Sequence, residues 1–569
     1  MSQSQTPFAP RVPRRWLVGL AATLLALSCG TPAVAQGKNT KTNSSSATAA
    51  LSDRLLDAMS EELARSKAKL KMENVDAPYY IEYRLSEVDA YDAEAAFGAM
   101  RQSQRSHGRS VRVVVRVGGY KQDSYFGGGM GVTNFAPLDD NPVALRRQLW
   151  LATDEAYKNA SEALAAKKAV LSQYTADQPF SDFAQVPALQ SIGALAKLEF
   201  DAKPWNGALE KSTAIFRTDP KIQSLSASLR FRAVNEYFIN TEGTVARHGY
   251  AIYSLILSGS TQAGDGMKIE RSPYYTAASI EELPTPAQFE ADARKTLQTL
   301  KDLRDAPVVE EEYRGPVLFS NDASTDVFTG MIGANIVGRR PKPGDSARTE
   351  GKFAASYKSR VLPVFLSVVD DPRLKTFRGK TLVGSYEIDD EGVQAVKVPV
   401  IQNGMLENYL LGREPLRDFP ESNGHGRAVP GQPVTPSVGN LIVQSKETSS
   451  PAELKKKLMA LCRDVGKPYG YYVETLGPGY VPRLLYRVYE NDGHEELVRG
   501  AVFNELDTRT LRNGLIAAGD DPLVNNREGP IPITVIAPSI LFDELEVKRT
   551  DAKNAKLPEY PPPDLASSE

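Results

Sequence analysis

"YEIDDEGVQAVKVPVIQNGMLENYLL", Tyr386–Leu411, sets the pattern for the second half of the chain. Short apolar stretches alternate with turn formers, first the acids and glycine at Asp389, Asp390, Glu391 and Gly392, then Asn403 and Gly404. Such punctuation interrupts helices and frames strands. The same rhythm runs outward through "GPVLFS", "VLPVFLSVVDD", "GYYVETLG", "RLLYRVYEND", "VRGAVF" and "IPITVIAP", so residues 308–550 read as a β-rich domain. One segment breaks it: "PAELKKKLMALCRDVGK" predicts a helix with Leu454, Leu458, Leu461 and Val465 as its apolar stripe. Residues 551–569 read as a flexible tail.

Upstream the pattern changes. "LSDRLLDAMSEELARSKAKLKM" carries Leu51, Leu55, Met59, Leu63 and Leu70 mainly at helical spacing, and "ALRRQLWLATDEAYKNASEALAAKKAVLSQY" is a second, alanine-rich helix. Between them, "YYIEYRLSEVDAYD" and "SVRVVVRVGGYKQDSYF" have the branched and aromatic composition of strands. Residues 51–225 therefore form an α+β N-terminal domain, and 226–307 a connecting and central region with strands around the turn "NTEG". A chain of 569 residues is too long for one core, and the fold class expected for the whole is α+β.

The first 35 residues read as an export signal. Arg11, Arg14 and Arg15 precede an apolar run from Trp16 to Leu27, too short to span a bilayer comfortably, which takes about 20 residues. Cleavage after Ala35 is the expected outcome and gives a soluble periplasmic or secreted protein with residues 36–50 as a flexible tether; cleavage before Cys29, giving a lipoprotein, is the alternative, disfavoured by Ala26 three residues before the cysteine. The paired arginines leave a twin-arginine route open beside the general one. No later run is apolar and long enough to span. The 68 basic and 70 acidic residues nearly cancel, which removes the electrostatic case for nucleic acid as partner. Cys462, among apolar residues at helical spacing, reads as a small buried hydrophobe.

Chemistry-bearing motifs are few. The chain has four histidines, and "HEELVRG" offers His494 without a second ligand, in a segment that reads as a hairpin. His425 in "ESNGHGR" is flanked by glycines that allow close backbone approach, in a segment expected to be loosely packed; Arg427 beside it suits a carboxylate or the loop itself. Asp370 with Asp371, and Asp389 with Asp390, read as turn or surface acids, with cation binding or a paired-carboxylate role as the alternative. The cluster "YFGGGMG" reads as a mobile turn; no phosphate loop, CxxC pair or GxSxG elbow occurs.

Taken together, "INTEG", "PVLFSNDASTDVFTGMIGANIVG", "VVDDPRL", the Tyr386–Leu411 stretch with "GREPL" after it, "SNGHGR", "YVETLG" and "LVRGAVF" resemble, in order, the TldD/PmbA family of metallopeptidases and gyrase modulators. The resemblance implies an α+β N-terminal half, a β-rich C-terminal half and a dimer enclosing a cleft for unfolded peptide. It also implies a zinc helix, HExxxH, shortly after the strand matching "GPVLFS", and a late cysteine ligand. Here Thr329, Gly330 and Ala334 stand at the three helix positions and Asn525 at the cysteine position. The family's zinc chemistry is therefore not expected, no cofactor is assigned, and zinc enters only if a relocated site, built from His425, Asp370, Asp371, Asp389 and Asp390, has kept peptidase activity. The leading reading is a degenerate homologue that binds peptide or supports a TldD-like subunit, as homodimer or heterodimer; a structural envelope protein is the remaining alternative.

Overall fold

The structure, a computed structural model, describes residues 53–126, 130–173, 180–341, 347–550 and 556–563. The signal, the tether, Cys29, the central glycines of "YFGGGMG" and most of the tail lie outside the described residues.

Among the described residues the first sheet has eight strands, built around two long antiparallel hairpins. Tyr80–Ala96 pairs with Ala99–Arg116 and with Ile222–Asn240, which turns through Thr241–Thr244 into Val245–Gln262. The short strand Tyr274–Ala277 pairs with Val245–Gln262 and forms one edge. Helices Arg54–Lys69 and Pro142–Leu171 cover one part of this sheet, packing Met59, Leu149 and Ala156 against Tyr83, Val113 and Val115. Helices Ala202–Ala214 and Pro286–Asp305 cover another, with Leu209, Phe289 and Leu300 against Leu225, Phe231 and Leu255. Each helix starts where a side-chain oxygen caps it, Asp53, Asn141, Asp201 and Thr285 in turn.

The second half builds two further sheets. In one, Glu312–Phe319 lies between Tyr469–Gly477, parallel to it, and Ile540–Arg549, antiparallel. In the other, Leu366–Asp370, Asn440–Ser445, Ile533–Ala537 and the edge strand Leu523–Arg527 follow one another. Side chains of both sheets share one core, and helix Asn321–Phe328 contributes Ala323, Val327 and Phe328, all fully buried, to it. Helix Pro451–Asp464 covers the far side through Leu454 and Leu458; Leu461 is half-buried, and Val465, predicted in the same stripe, is exposed because the helix has ended before it. Cys462 is buried, and burial pushes its thiol up to about 11. His494 closes the hairpin Val481–Tyr489 with Glu495–Val498, stacked on Tyr489. The architecture is α+β, as the sequence pattern implies.

Candidate functional site

Helix Asn321–Phe328 positions the site. Ser320 caps it, accepting from the Ala323 amide at 3.1 Å, and its hydroxyl donates to the Glu474 carbonyl at 2.6 Å, which ties the helix start to the neighbouring strand. With Ala323, Val327 and Phe328 committed to the core, Asp322 and Asp326 fall four residues apart on the side facing a cleft. The helix does not end cleanly: Thr329–Gly333 continues as a π turn, with the Ala334 amide donating to the Thr329 carbonyl at 3.1 Å. Glycine at 330 and 333 weakens the α-helical alternative, and the Thr329 hydroxyl donates back to the Thr325 carbonyl at 2.6 Å.

The cleft has a volume of about 960 Å³. Asp322, Asp326, Thr329 and Gly330 line one side, Arg271 and Tyr274 of the first sheet's edge region another, and Asn525 and Arg527 of the edge strand Leu523–Arg527 a third. A hydrogen-bond chain joins these walls. The Tyr274 hydroxyl donates to Asn525 Oδ1 at 2.8 Å, and Asn525 Nδ2 donates to Thr325 Oγ1 at 2.7 Å. Arg527 Nη2 donates to Asp326 Oδ1 at 2.6 Å. Both ends of the Asn525 amide are thus engaged within the wall. Burial, then repulsion from Asp326, pushes the Asp322 carboxyl up to about 6, against the pull of Arg527 and Arg271.

Three of the four positions matched to the family's ligands, Thr329, Gly330 and Asn525, line this one cleft; Ala334, just past the π turn, is exposed and does not. Position 330 has no room as it stands: a Cβ built on Gly330 falls 2.0 Å from the Tyr480 hydroxyl. Tyr480 reaches there from the turn Gly477–Tyr480, where Gly479 and Tyr480 both adopt positive φ, 70° and 60°. The residues do not fit the zinc that the resemblance implies. A hydroxyl, a bare glycine, a methyl group and an amide already bonded at both ends stand at the positions where the resemblance implies imidazole, carboxylate and thiolate donors. Among the described residues, no group of three or more histidine, cysteine or acidic side chains is placed to hold a metal.

The other candidates gather elsewhere and deep. His425, expected in an open segment, is fully buried: Nε2 lies 3.1 Å from Asp370 Oδ1 and Nδ1 lies 2.9 Å from the Asn423 carbonyl. Asp370 is equally buried and also accepts from the Gly439 amide at 3.2 Å. The flanking glycines serve packing, since a Cβ at Gly426 would sit 2.5 Å from Glu391 Oε2 and one at Gly424 would meet the Gln394 carbonyl at the same distance. Asp389 and Asp390, expected at turns or the surface, are at the turn but buried. Asp389 accepts three backbone amides, from Glu391, Val393 and Gly426, yet burial and then the Glu391 charge hold its carboxyl above the usual range. Burial acts in the same direction on Asp390, but Arg427 and Arg84 outweigh it and hold that carboxyl low. Arg427 Nε donates to Asp390 at 3.2 Å with its guanidinium over the Tyr386 ring, so it holds the loop. Asp371 is half-buried and accepts from the Arg373 amide, a turn role.

Sequence reading did not find Asp322, Asp326, Tyr274, Tyr480 or Arg527. The four-residue spacing of the two aspartates in "NDASTDVF" is the one local signal; the rest converge from segments that only the sheets bring together.

Residues 312–549 match the PmbA/TldA metallopeptidase C-terminal domain. Among curated proteins, Metalloprotease PmbA of Escherichia coli O157:H7 is 26% identical over 315 residues, 53% of this chain and 63% of that protein. Metalloprotease MJ0996 of Methanocaldococcus jannaschii is 38% identical over 102 residues, 18% of this chain and 22% of that protein. Both matches span less than two thirds of the relative's own length. Among solved structures, TldE from Thermococcus kodakarensis superposes with a TM-score of 0.57 at 13% identity, covering 86% of this chain and 99% of that one, a likeness of fold.

Proposed function

The chain belongs to the TldD/PmbA family, and from that premise we propose that it is an exported member that has given up zinc hydrolysis and retains the cleft for peptide. It acts either by holding an extended peptide or by supporting a TldD-like subunit, as a homodimer or heterodimer. The observation that carries this reading is local: Thr329, Gly330 and Asn525 face one cleft, and Tyr480 fills the volume that a side chain at 330 would need.

Three features support peptide as the occupant. The strand Tyr274–Ala277 is a sheet edge, so its outward backbone groups are available to an extended chain. Strand Leu523–Arg527 is also an edge and contributes Leu523 through Arg527 to the same cleft. The lining mixes tyrosines, prolines and hydroxyls with paired charges, a surface suited to backbone contact more than to one fixed small molecule. A relocated hydrolytic site at His425 and Asp370 has less support, because both side chains are sealed from solvent.

The decisive experiment combines metal analysis of the purified native protein with an assay on unfolded peptide. Substoichiometric zinc and no chelator-sensitive cleavage are expected; stoichiometric zinc with chelator-sensitive turnover overturns the reading. Retention of peptide on the intact protein separates the peptide-holding form of the proposal from the partner-only form.

A further inference from the structure

A second groove, about 880 Å³, continues from the cleft and shares Tyr274, Thr276 and Arg527 with it. Its lining is strongly cationic: Arg230, Arg232, Arg339 and Arg527 against one carboxylate, Glu528. Arg527 is engaged with Asp326. Glu528 lies 3.4 Å from Arg232 and 3.7 Å from Arg230, and its Oε1 makes no hydrogen bond, so it balances part of the charge without using those donors. Arg230 also reaches Asp92 at 3.1 Å. Arg339 is different: it is exposed, has no carboxylate partner among the described residues, and its backbone is fixed by the Thr349 hydroxyl, which accepts from its amide at 2.8 Å and donates to its carbonyl at 3.0 Å. A surplus guanidinium on a held backbone, sharing its groove with a second half-used one, offers planar donors to a planar anion.

The edge strand Tyr274–Ala277 runs past both compartments, and at roughly 3.3 Å per residue its four residues span about 13 Å. We propose that the groove is a carboxylate subsite: Arg339, with Arg232, takes a carboxylate of an extended peptide whose preceding residues lie along this strand in the cleft. The inference rests on the peptide reading above. The carboxylate comes from an acidic side chain or from the peptide's own C-terminus, and the apolar shoulder of Ile256, Pro436 and Ile531 packs the neighbouring residue.

The test titrates the intact protein with fluorescein-labelled octapeptides of glycine, serine and alanine, followed by anisotropy. One series is neutral and C-terminally amidated, one carries a single glutamate at each position in turn, and one has a free C-terminus. A carboxylate at one register should strengthen binding by about fivefold over the neutral parent, the scale of a solvent-accessible ion pair, and the advantage should shrink with added salt. In Arg339→Glu and Arg232→Gln the ratio of the two affinities should collapse to near one, while Glu528→Gln should raise it. Denaturation midpoints of each variant establish that the fold is intact. Gain with glutamate in the amidated series assigns the side chain; gain with the free terminus alone assigns the terminal carboxylate. If the neutral parent binds but no carboxylate improves it, or the improvement survives in both arginine variants, the subsite is overturned and the peptide reading stands. If no peptide binds at all, both fall.

Discussion

At the scale of single residues, Asp322 carries the clearest consequence. Its carboxyl is raised from its ordinary 3.8 to about 6, burial first and Asp326 second. A carboxyl raised in the folded state binds more protons there than in the unfolded chain, so its contribution favours folding below about 4 and is lost as pH rises through 6. Asp322→Asn should therefore stabilise the protein at pH 8 by on the order of 1–2 kcal/mol, with the gain disappearing near pH 4. Urea unfolding at the two pH values measures it; an equal effect at both removes Asp322 from the buried, charge-facing role. His425 marks the limit of residue-level reading. Two flanking glycines are compatible with an open loop and with tight packing, and only the positions of Gln394 and Glu391 against them decide for packing. Thr329, Gly330 and Asn525 were singled out through a resemblance and line one cleft, but the intrusion of Tyr480 was not legible, because its path depends on a turn far along the chain.

Among elements, the turn Gly477–Tyr480 shows how backbone conformation places Tyr480 in the wall of the cleft, against Gly330. Gly479 has open space where a Cβ would go, so Gly479→Ala tests conformation alone. At φ 70° an alanine should cost about 1–2 kcal/mol. The same replacement at Gly207, inside helix Ala202–Ala214 and also with open space, should instead gain up to about 1 kcal/mol. Denaturation midpoints of the two variants moving in the same direction would contradict this account. Elements were the most legible level in the sequence: both long helices form, Arg54–Lys69 and Pro142–Leu171, and the second half folds into short punctuated strands, although Leu70 falls just past its helix and "VRGAVF" breaks at Gly500, whose φ is 79°. The exceptions have physical causes. Val465 follows the last helical turn and so leaves the stripe, and the cleft's walls depend on which strands become edges, a property of pairing order that no local pattern encodes.

Across the whole molecule, a buried ionic seam joins the first sheet to the turns of the second half. Arg413, fully buried, donates to both oxygens of Glu242 at 2.8 Å and to the Ala184 carbonyl. Glu236 accepts from the Ser86 hydroxyl at 2.7 Å and faces Asp390. Burial, then the Asp390 charge, pushes Glu236 up to about 8, and burial pushes Glu391 up to about 7. Both are raised carboxyls, so their contribution is complete below about 4.5 and declines as pH climbs through 7 and 8. Stability should fall between about pH 4.5 and 8, and Glu236→Gln should flatten that decline by on the order of 1–3 kcal/mol; a thermal-melt profile unchanged by the substitution would remove Glu236 as its source. The order in which strands enter the two sheets of the second half has a different kind of outcome. Ile533–Ala537 completes one sheet, and directly after it Ile540–Arg549 enters the other, where Leu541 and Phe542 pair with Leu318 and Val317. Glu312–Phe319 gains its antiparallel neighbour only after Ile540–Arg549 has left the ribosome, so during synthesis this sheet waits, incomplete, for a strand made much later, and a nascent chain stalled before Ile533 is a natural target for chaperones and proteases.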